Sequence, residues 1–277
     1  MKTKMKVLIG YAFSSIAFSF FISSCSKKDN STDSGTDQPT AISLTMASSL
    51  NETLYDDVFN QINMEGENNG LSERLTGVQG CATVTLSPAD LTTFPKTMTI
   101  DYGGGCTMGP ITRKGKLIVN LTGRIKNPGS AMAVSFENYA VNDYKLEGGF
   151  TITNNTANDI LSFTTQTTNG KLTYPAGLVY THTGSHTYTQ IGGSGTPTFL
   201  DDSWSVTGGG STTSSANENL TVTIKTPLIK NVACGSLVSG EQSFQYNNIS
   251  GSLNFGEGQC DRLATLKIGA YTAIINF

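Results

Sequence analysis

The sequence predicts a mainly β fold: an antiparallel meander curled into a half-barrel or folded as a sandwich, with one N-terminal α-helix. Three observations carry this. From Ala82 onward, apolar and polar residues alternate with period two, as in strands with one wet face. Turn chemistry recurs between those runs at spacings too short for the crossovers that parallel strands need. Gly makes up 30 of 277 residues and only 14% of the chain is charged, a profile of exported β-rich proteins.

Ser43–Met64 is the helix candidate. Leu50, Leu54, Val58, Phe59 and Ile62 fall on one stripe at helical spacing, which is expected to pack against a sheet. Ser49 or Asn51 suits the N-cap, with Glu52, Asp56 and Asp57 in the early turns where the helix dipole favours acids. The polar run Glu65–Gly70 is expected to end the helix.

The strands follow. Leu117, Val119, Leu121 and Ile125 alternate with Lys116, Asn120, Thr122 and Arg124. Met132, Val134 and Phe136 share a face in the next segment, then Tyr144, Leu146, Phe150 and Ile152. Leu220, Val222 and Ile224 mark another half-buried strand. Two-residue hairpin turns are expected at Asn142-Asp143 and Asn169-Gly170. No linker interrupts the chain after residue 80, so 43–277 reads as one domain. A flat sheet of about 14 strands would be unstable, hence the expected curl.

Four cysteines lie in this domain: Cys81, Cys106, Cys234 and Cys260. Cys81 and Cys106 flank a turn-like stretch from Ser87-Pro88 to Phe94-Pro95. Cys234 and Cys260 are equidistant from Asn247-Asn248, about which two strands would fold back. The expected disulfides are therefore Cys81–Cys106 and Cys234–Cys260. Zinc is disfavoured because no CxxC or Cys/His cluster exists. The segments Ile100–Cys106 and Leu253–Cys260 share an apolar-Asx-aromatic-Gly-x-Gly pattern ahead of the cysteine, a weak internal repeat.

Residues 1–42 are of another kind. Lys2, Lys4 and Lys6 precede an uncharged apolar run, Val7–Phe21, and then Ile22-Ser23-Ser24-Cys25. A basic start, a short apolar core and small residues at the cut make a secretory signal peptide over 1–24. The last four residues resemble the lipobox of bacterial lipoproteins: an aliphatic residue, two small ones, then cysteine. That resemblance implies diacylglycerol on the Cys25 thiol and Cys25 as the mature N-terminus. Ser26–Thr40 lacks apolar residues apart from a proline, so 25–42 is expected to be a lipidated cysteine and flexible tether. Ser26-Lys27-Lys28-Asp29-Asn30 is similar to the charged segment after the lipidated cysteine in Bacteroidota lipoproteins, as are the turns Gly103–Cys106 and Phe255–Cys260. The resemblance implies an envelope location, on the outer membrane, and no activity.

Net charge is −3, and loss of Lys2, Lys4 and Lys6 would take it to −6. With no basic stripe, no nucleic-acid partner is expected. The two histidines, His182 and His186, share a strand face with Tyr180 and Tyr188, and Asp201 or Asp202 is the nearest third group for a metal. Four residues along a strand is about 13 Å, too far to share one ion, so no metal is expected. No GxSxG is present, and Gly103–Gly105 and Gly208–Gly210 lack the Lys-Ser/Thr of a phosphate loop. Asp101 and Glu257 read as turn formers. Trp204, Tyr174, Tyr180, Tyr188 and Phe199 are candidates for a sugar platform, with core packing as the alternative.

The expectation is a membrane-anchored envelope lipoprotein with a non-catalytic binding or structural β-domain and no cofactor. Its rivals are a carrier shielding a lipid or other apolar ligand in a curved sheet, and a surface glycan binder or hydrolase. The carrier predicts an apolar hollow; the hydrolase predicts two carboxylates facing across a groove.

Overall fold

The computed structural model describes residues 37–71, 80–196 and 201–276. The signal peptide, Cys25, the first part of the tether and Phe199 lie outside the described residues. One helix, α1 (Asp37–Asn68), precedes fourteen strands. These are β1 (Thr83–Ser87), β2 (Lys96–Asp101), β3 (Cys106–Met108), β4 (Ile111–Leu121), β5 (Ala131–Val141), β6 (Tyr144–Asn154) and β7 (Ser162–Thr173). Then come β8 (Val179–Gly192), β9 (Ser203–Ser214), β10 (Asn219–Asn231), β11 (Ser236–Tyr246), β12 (Ile249–Glu257), β13 (Leu263–Ile268) and β14 (Tyr271–Asn276).

All strands join one open antiparallel sheet in chain order, with β3 alone stepping aside to pair with β4. The inward residues read from the sequence are inward: Leu117, Val119, Leu121, Ile125, Leu146, Phe150, Ile152, Leu220 and Val222 are buried. The sheet curls so that these residues close around α1, the half-barrel alternative rather than the sandwich. Tyr55 meets Phe136 and Phe150 at ring distances of 6.0 and 5.3 Å, and Phe59 meets Phe163 and Tyr188 at 5.3 and 5.2 Å.

The helix departs from expectation at both ends. It begins at Asp37, so residues 37–42 of the expected tether are helical, with Ala41 fully buried. Ser49 and Asn51 are not caps; both lie buried within the helix, where Asn51 Nδ2 donates to Ala47 O at 2.9 Å. A curled sheet covers more than one stripe of a helix. That is why small and polar residues such as Ala47, Ser48 and Ser49 are buried, and why the periodic stripe understated the helix. The run from Glu65 also stays helical to Asn68, and the stop is Gly70, at φ 77°, where Leu71 N donates to Gly66 O at 2.8 Å.

One expected turn holds and one does not. Asn142 and Asp143, both at positive φ (48° and 67°), connect β5 to β6 in two residues. Asn169-Gly170 lies inside β7 instead, where the register shifts between Thr167 and Gly170. The positive φ that Asn supplies, 50° at Asn169, makes a bulge here as readily as a turn. Gly170 also lets the helix approach: an added Cβ would stand 2.6 Å from Tyr55 Oη.

The structure joins Cys81 to Cys106 and Cys234 to Cys260, with Cα separations of 5.6 and 5.3 Å. The second pair follows from the hairpin about Asn247-Asn248, where Tyr246 pairs with Ile249. The repeated segments share a local device. Asp101 Oδ1 accepts from Gly103 N at 2.8 Å, and Asn254 Oδ1 accepts from Gly256 N at 2.9 Å. In each, the flanking apolar pair (Ile100 and Tyr102; Leu253 and Phe255) is buried.

Candidate functional site

The helix does not fill the whole hollow. Along its middle, between the ends of β4–β6 and the inner face of β8–β12, runs a cleft of about 470 Å³. This lies within the ~300–1,000 Å³ typical of small-molecule sites. One wall is Ile111, Val141 and Tyr144; the opposite wall is Val206, Ile224, Leu228, Val232, Leu237 and Phe255. The helix contributes Leu50 and Leu54 together with Glu52, Asp56, Asp57 and Asn60. A smaller hollow of about 260 Å³, lined by Pro39, Ser43, Tyr180 and Glu218 among others, sits near the helix start and lacks this apolar lining.

Most of the charged groups in the cleft are consumed by one another. Lys230 Nζ on β10 donates to both oxygens of Asp56, at 2.8 and 2.6 Å, and to Asn60 Oδ1 at 2.9 Å. Arg113 on β4 grips Asp57 through Nε at 2.9 Å and a second bond from Nη2. These pairs fasten the helix to strands on both sides of the cleft, and their desolvation is offset by bidentate geometry.

Glu52 is different. Its nearest basic group is His186 Nε2 on β8, 3.9 Å from Oε1, too long for a hydrogen bond. Its side chain is 16% exposed, and Oε1 is buried without a partner. Burial pushes its carboxyl up to about 8, and burial likewise pushes His186 down to about 4. At neutral pH the site therefore holds a neutral acid beside a neutral imidazole. On β11, Gln242 is 1% exposed and its Oε1 accepts nothing.

The sequence-derived candidates are distributed differently. Tyr180, His182, His186 and Tyr188 do share one strand face, the inner one. His182 is buried, stacks at 6.3 Å on Tyr55 and shares a 3.0 Å hydrogen bond with Thr212 Oγ1. Burial, then the neighbouring His186, hold its imidazole down at about 4. Asp201 accepts from Thr196 Oγ1 at 2.8 Å in the loop before β9, away from the cleft. Trp204 and Tyr188 are core residues, while Tyr174 meets Tyr144 edge-on at 5.0 Å and Tyr180 at a tilt at 5.3 Å. Gly208–Gly210 lie within β9. Among the described residues, no three His, Cys, Asp or Glu side chains stand close enough to hold a metal ion.

Sequence reading missed Glu52, Asp56, Lys230 and Gln242 as a group. In the sequence the acids read as early-turn residues of a shorter helix, and the signal that could find them is the i, i+4 spacing that puts Glu52 and Asp56 on one face. Comparison with known protein families, with curated proteins and with solved structures finds no match to this chain.

Proposed function

We propose that this chain is a lipid-anchored envelope protein whose β-domain binds a small apolar ligand, without catalysis, in the cleft between helix and sheet. The observation that carries the reading is the cleft: apolar walls contributed by both halves of the sheet, enclosing a few polar groups, of which Ser49, Glu52, Ser236 and Gln242 each keep a buried atom without a partner. This is the carrier alternative in a restricted form, because α1 occupies most of the hollow that an empty curved sheet would offer. The anchor rests on the resemblance of Ile22–Cys25 to the lipobox; two or more acyl chains make such an anchor stable.

The arrangement of the cleft's carboxylates speaks against catalysis. All three carboxylates that line the cleft, Glu52, Asp56 and Asp57, belong to the helix wall, and two are held by Lys230 and Arg113. Glycoside hydrolysis needs carboxyl groups on both sides of the scissile bond. Of the aromatic residues a glycan binder could use, Trp204 and Tyr188 are buried and Tyr174 and Tyr180 are half-buried, which speaks for core packing.

The test is solvent extraction of the full chain purified from its native membrane, followed by mass spectrometry. A near-equimolar apolar compound is expected, absent from an Ile224→Trp variant in which the cleft is plugged. Recovery of nothing beyond what the plugged variant releases would overturn the reading.

A further inference from the structure

We infer that the cleft takes an anionic amphiphile, its carboxylate or phosphate head at the rim beside Arg262 and its alkyl body along the apolar walls. This rests on the cleft being a ligand site, and it names the ligand's chemistry.

The inference follows from the charges of the cleft and from where the spare one stands. Lys230 is spent on Asp56, and Arg113 on Asp57. Burial keeps Glu52 protonated and His186 neutral at neutral pH. Arg262 lines the cleft, is exposed, and has no acidic partner among the described residues. Three cations thus stand against two paired acids, which leaves one positive charge. The unpartnered buried atoms choose no head group, because the Ser49 and Ser236 hydroxyls and a protonated Glu52 can each donate or accept.

Arg262 also stands where a head group and an alkyl chain can be met together. The Cys234–Cys260 disulfide ties the turn between β10 and β11 to the loop between β12 and β13. Arg262 follows Cys260 by two residues, and its side chain reaches that turn: a Cβ added at Gly235 would stand 3.6 Å from Nη2. Val232 and Leu237 flank the turn, Leu263 follows Arg262, and all three line the cleft. Arg262 has φ 58°, a backbone that suits glycine or asparagine better, so what arginine adds there is its side chain. The acid next to it, Asp261, is exposed and outside the lining, and its Oδ1 accepts from Leu263 N at 3.0 Å.

A charged head inside the cleft would forfeit its hydration; at the rim it keeps water while its chain is buried. There a carboxylate or phosphate meets the planar donors of Arg262, which match two oxygens of either group. An ammonium would meet a like charge at the rim and find Asp56 and Asp57 already held. A hydroxyl gains no charge contact. Because the pair is exposed, it is worth about fivefold in affinity at low salt. It should fade at 1 M salt, where the Debye length is about 3 Å.

The experiment titrates the full chain in nonionic detergent at pH 7 with decanoate, decyl phosphate, decanol and decylamine. The readout is fluorescence of Trp204, the chain's one tryptophan, two residues from Val206 of the cleft wall on the same strand face. The ratio of wild-type to Arg262→Gln affinity removes each probe's partition into detergent. For one or both anions that ratio should be about fivefold at low salt and approach one at 1 M salt; for decanol it should stay near one. The anion with the larger ratio tells a carboxylate head from a phosphate. Arg262→Lys should recover part of the loss, and Arg262→Glu should weaken the anions further while strengthening decylamine. Ratios near one for both anions would overturn the inference, and so would an equal loss for decanol or an anion ratio indifferent to salt. Those outcomes leave the cleft as an apolar site, whereas no binding of any probe by the wild type would sink the binding function as well.

Discussion

Replacing Glu52 by glutamine should stabilise the protein near neutral pH, although it removes a charged group from what looks like a solvated helix face. The Glu52 carboxyl lies at 4.5 in the unfolded chain and at about 8 when folded, because burial penalises the anion. Between those values the unfolded chain has released a proton that the folded one retains. The unfolded state thus binds fewer protons, and stability falls as pH rises. At 1.36 kcal/mol per unit, the cost at pH 7 is about 3 kcal/mol, reaching about 4 kcal/mol by pH 8, where the folded carboxyl is half ionised. His182 and His186 act oppositely. Their imidazoles drop from 6.5 to about 4, so the unfolded chain binds the extra protons and stability is lost as pH falls from 6.5 toward 4. The wild type should therefore be most stable near pH 6.5 and weaken by about 1.4 kcal/mol per unit up to pH 8. Glu52→Gln should instead hold a plateau above 6.5. Its advantage should be about 3 kcal/mol at pH 7 and close to zero at pH 4.5. Glu65, whose carboxyl burial also raises, is common to both chains and cancels in the difference. Urea unfolding at fixed temperature across pH 4.5–9 measures this. A difference profile that is flat, or that shows the variant losing stability as pH rises, would refute the reasoning.

Phe59→Ala should cost about 3–5 kcal/mol by denaturant unfolding, since the ring is 2% exposed and meets Phe163 and Tyr188. Gly170→Ala should destabilise by about 1–3 kcal/mol, because its methyl would stand 2.6 Å from both Tyr55 Oη and Thr167 Cγ2; Tyr55→Phe should relieve part of that loss in the double variant. Opening the Cys234–Cys260 loop with paired serines should lower stability by about 3.5 kcal/mol in the chain-entropy account of a 26-residue separation, read from the same titrations. Cys25→Ala should abolish palmitate labelling and release from the membrane fraction any chain that is processed; continued labelling would remove the anchor.

The elements that local pattern specifies were legible. Leu117, Val119 and Leu121 alternate, and they are buried in a strand; Asn142-Asp143 and Asn247-Asn248 make tight turns, and the second sets Cys234 opposite Cys260. Asn169-Gly170 carries the same local signal as a hairpin, yet its neighbours on both sides continue pairing with β6 and β8, so tertiary context turned it into a bulge. The helix extends past its periodic stripe for a related reason. Asp37–Ile42 has the composition of a tether, and only the sheet wrapped around it makes burial of Ala41 and Leu44 worth the ordering of that segment.

The cleft was less legible still. Lys230 reaches Asp56 across 174 residues, and Arg113 reaches Asp57 across 56. Those pairings depend on how far the sheet curls, which the period of a strand does not encode. Glu52 has the i, i+4 relation to Asp56 of an ordinary wet helix face. Its chemistry comes from the walls, Ile224 and Leu228 among them, that exclude water and bring no cation.

This cleft, and no other surface, is expected to receive an alkyl chain. Photo-crosslinking tests it on the full chain in its own membrane, using a decyl probe with a mid-chain diazirine and peptide mapping of the adducts. Adducts should fall within 49–60 on the helix and within 224–237 on β10 and β11, and should be lost on plugging the cleft with Ile224→Trp. Labelling of the exposed Tyr271 and Ile274 on the edge strand instead, or labelling that survives the plug, would contradict the account.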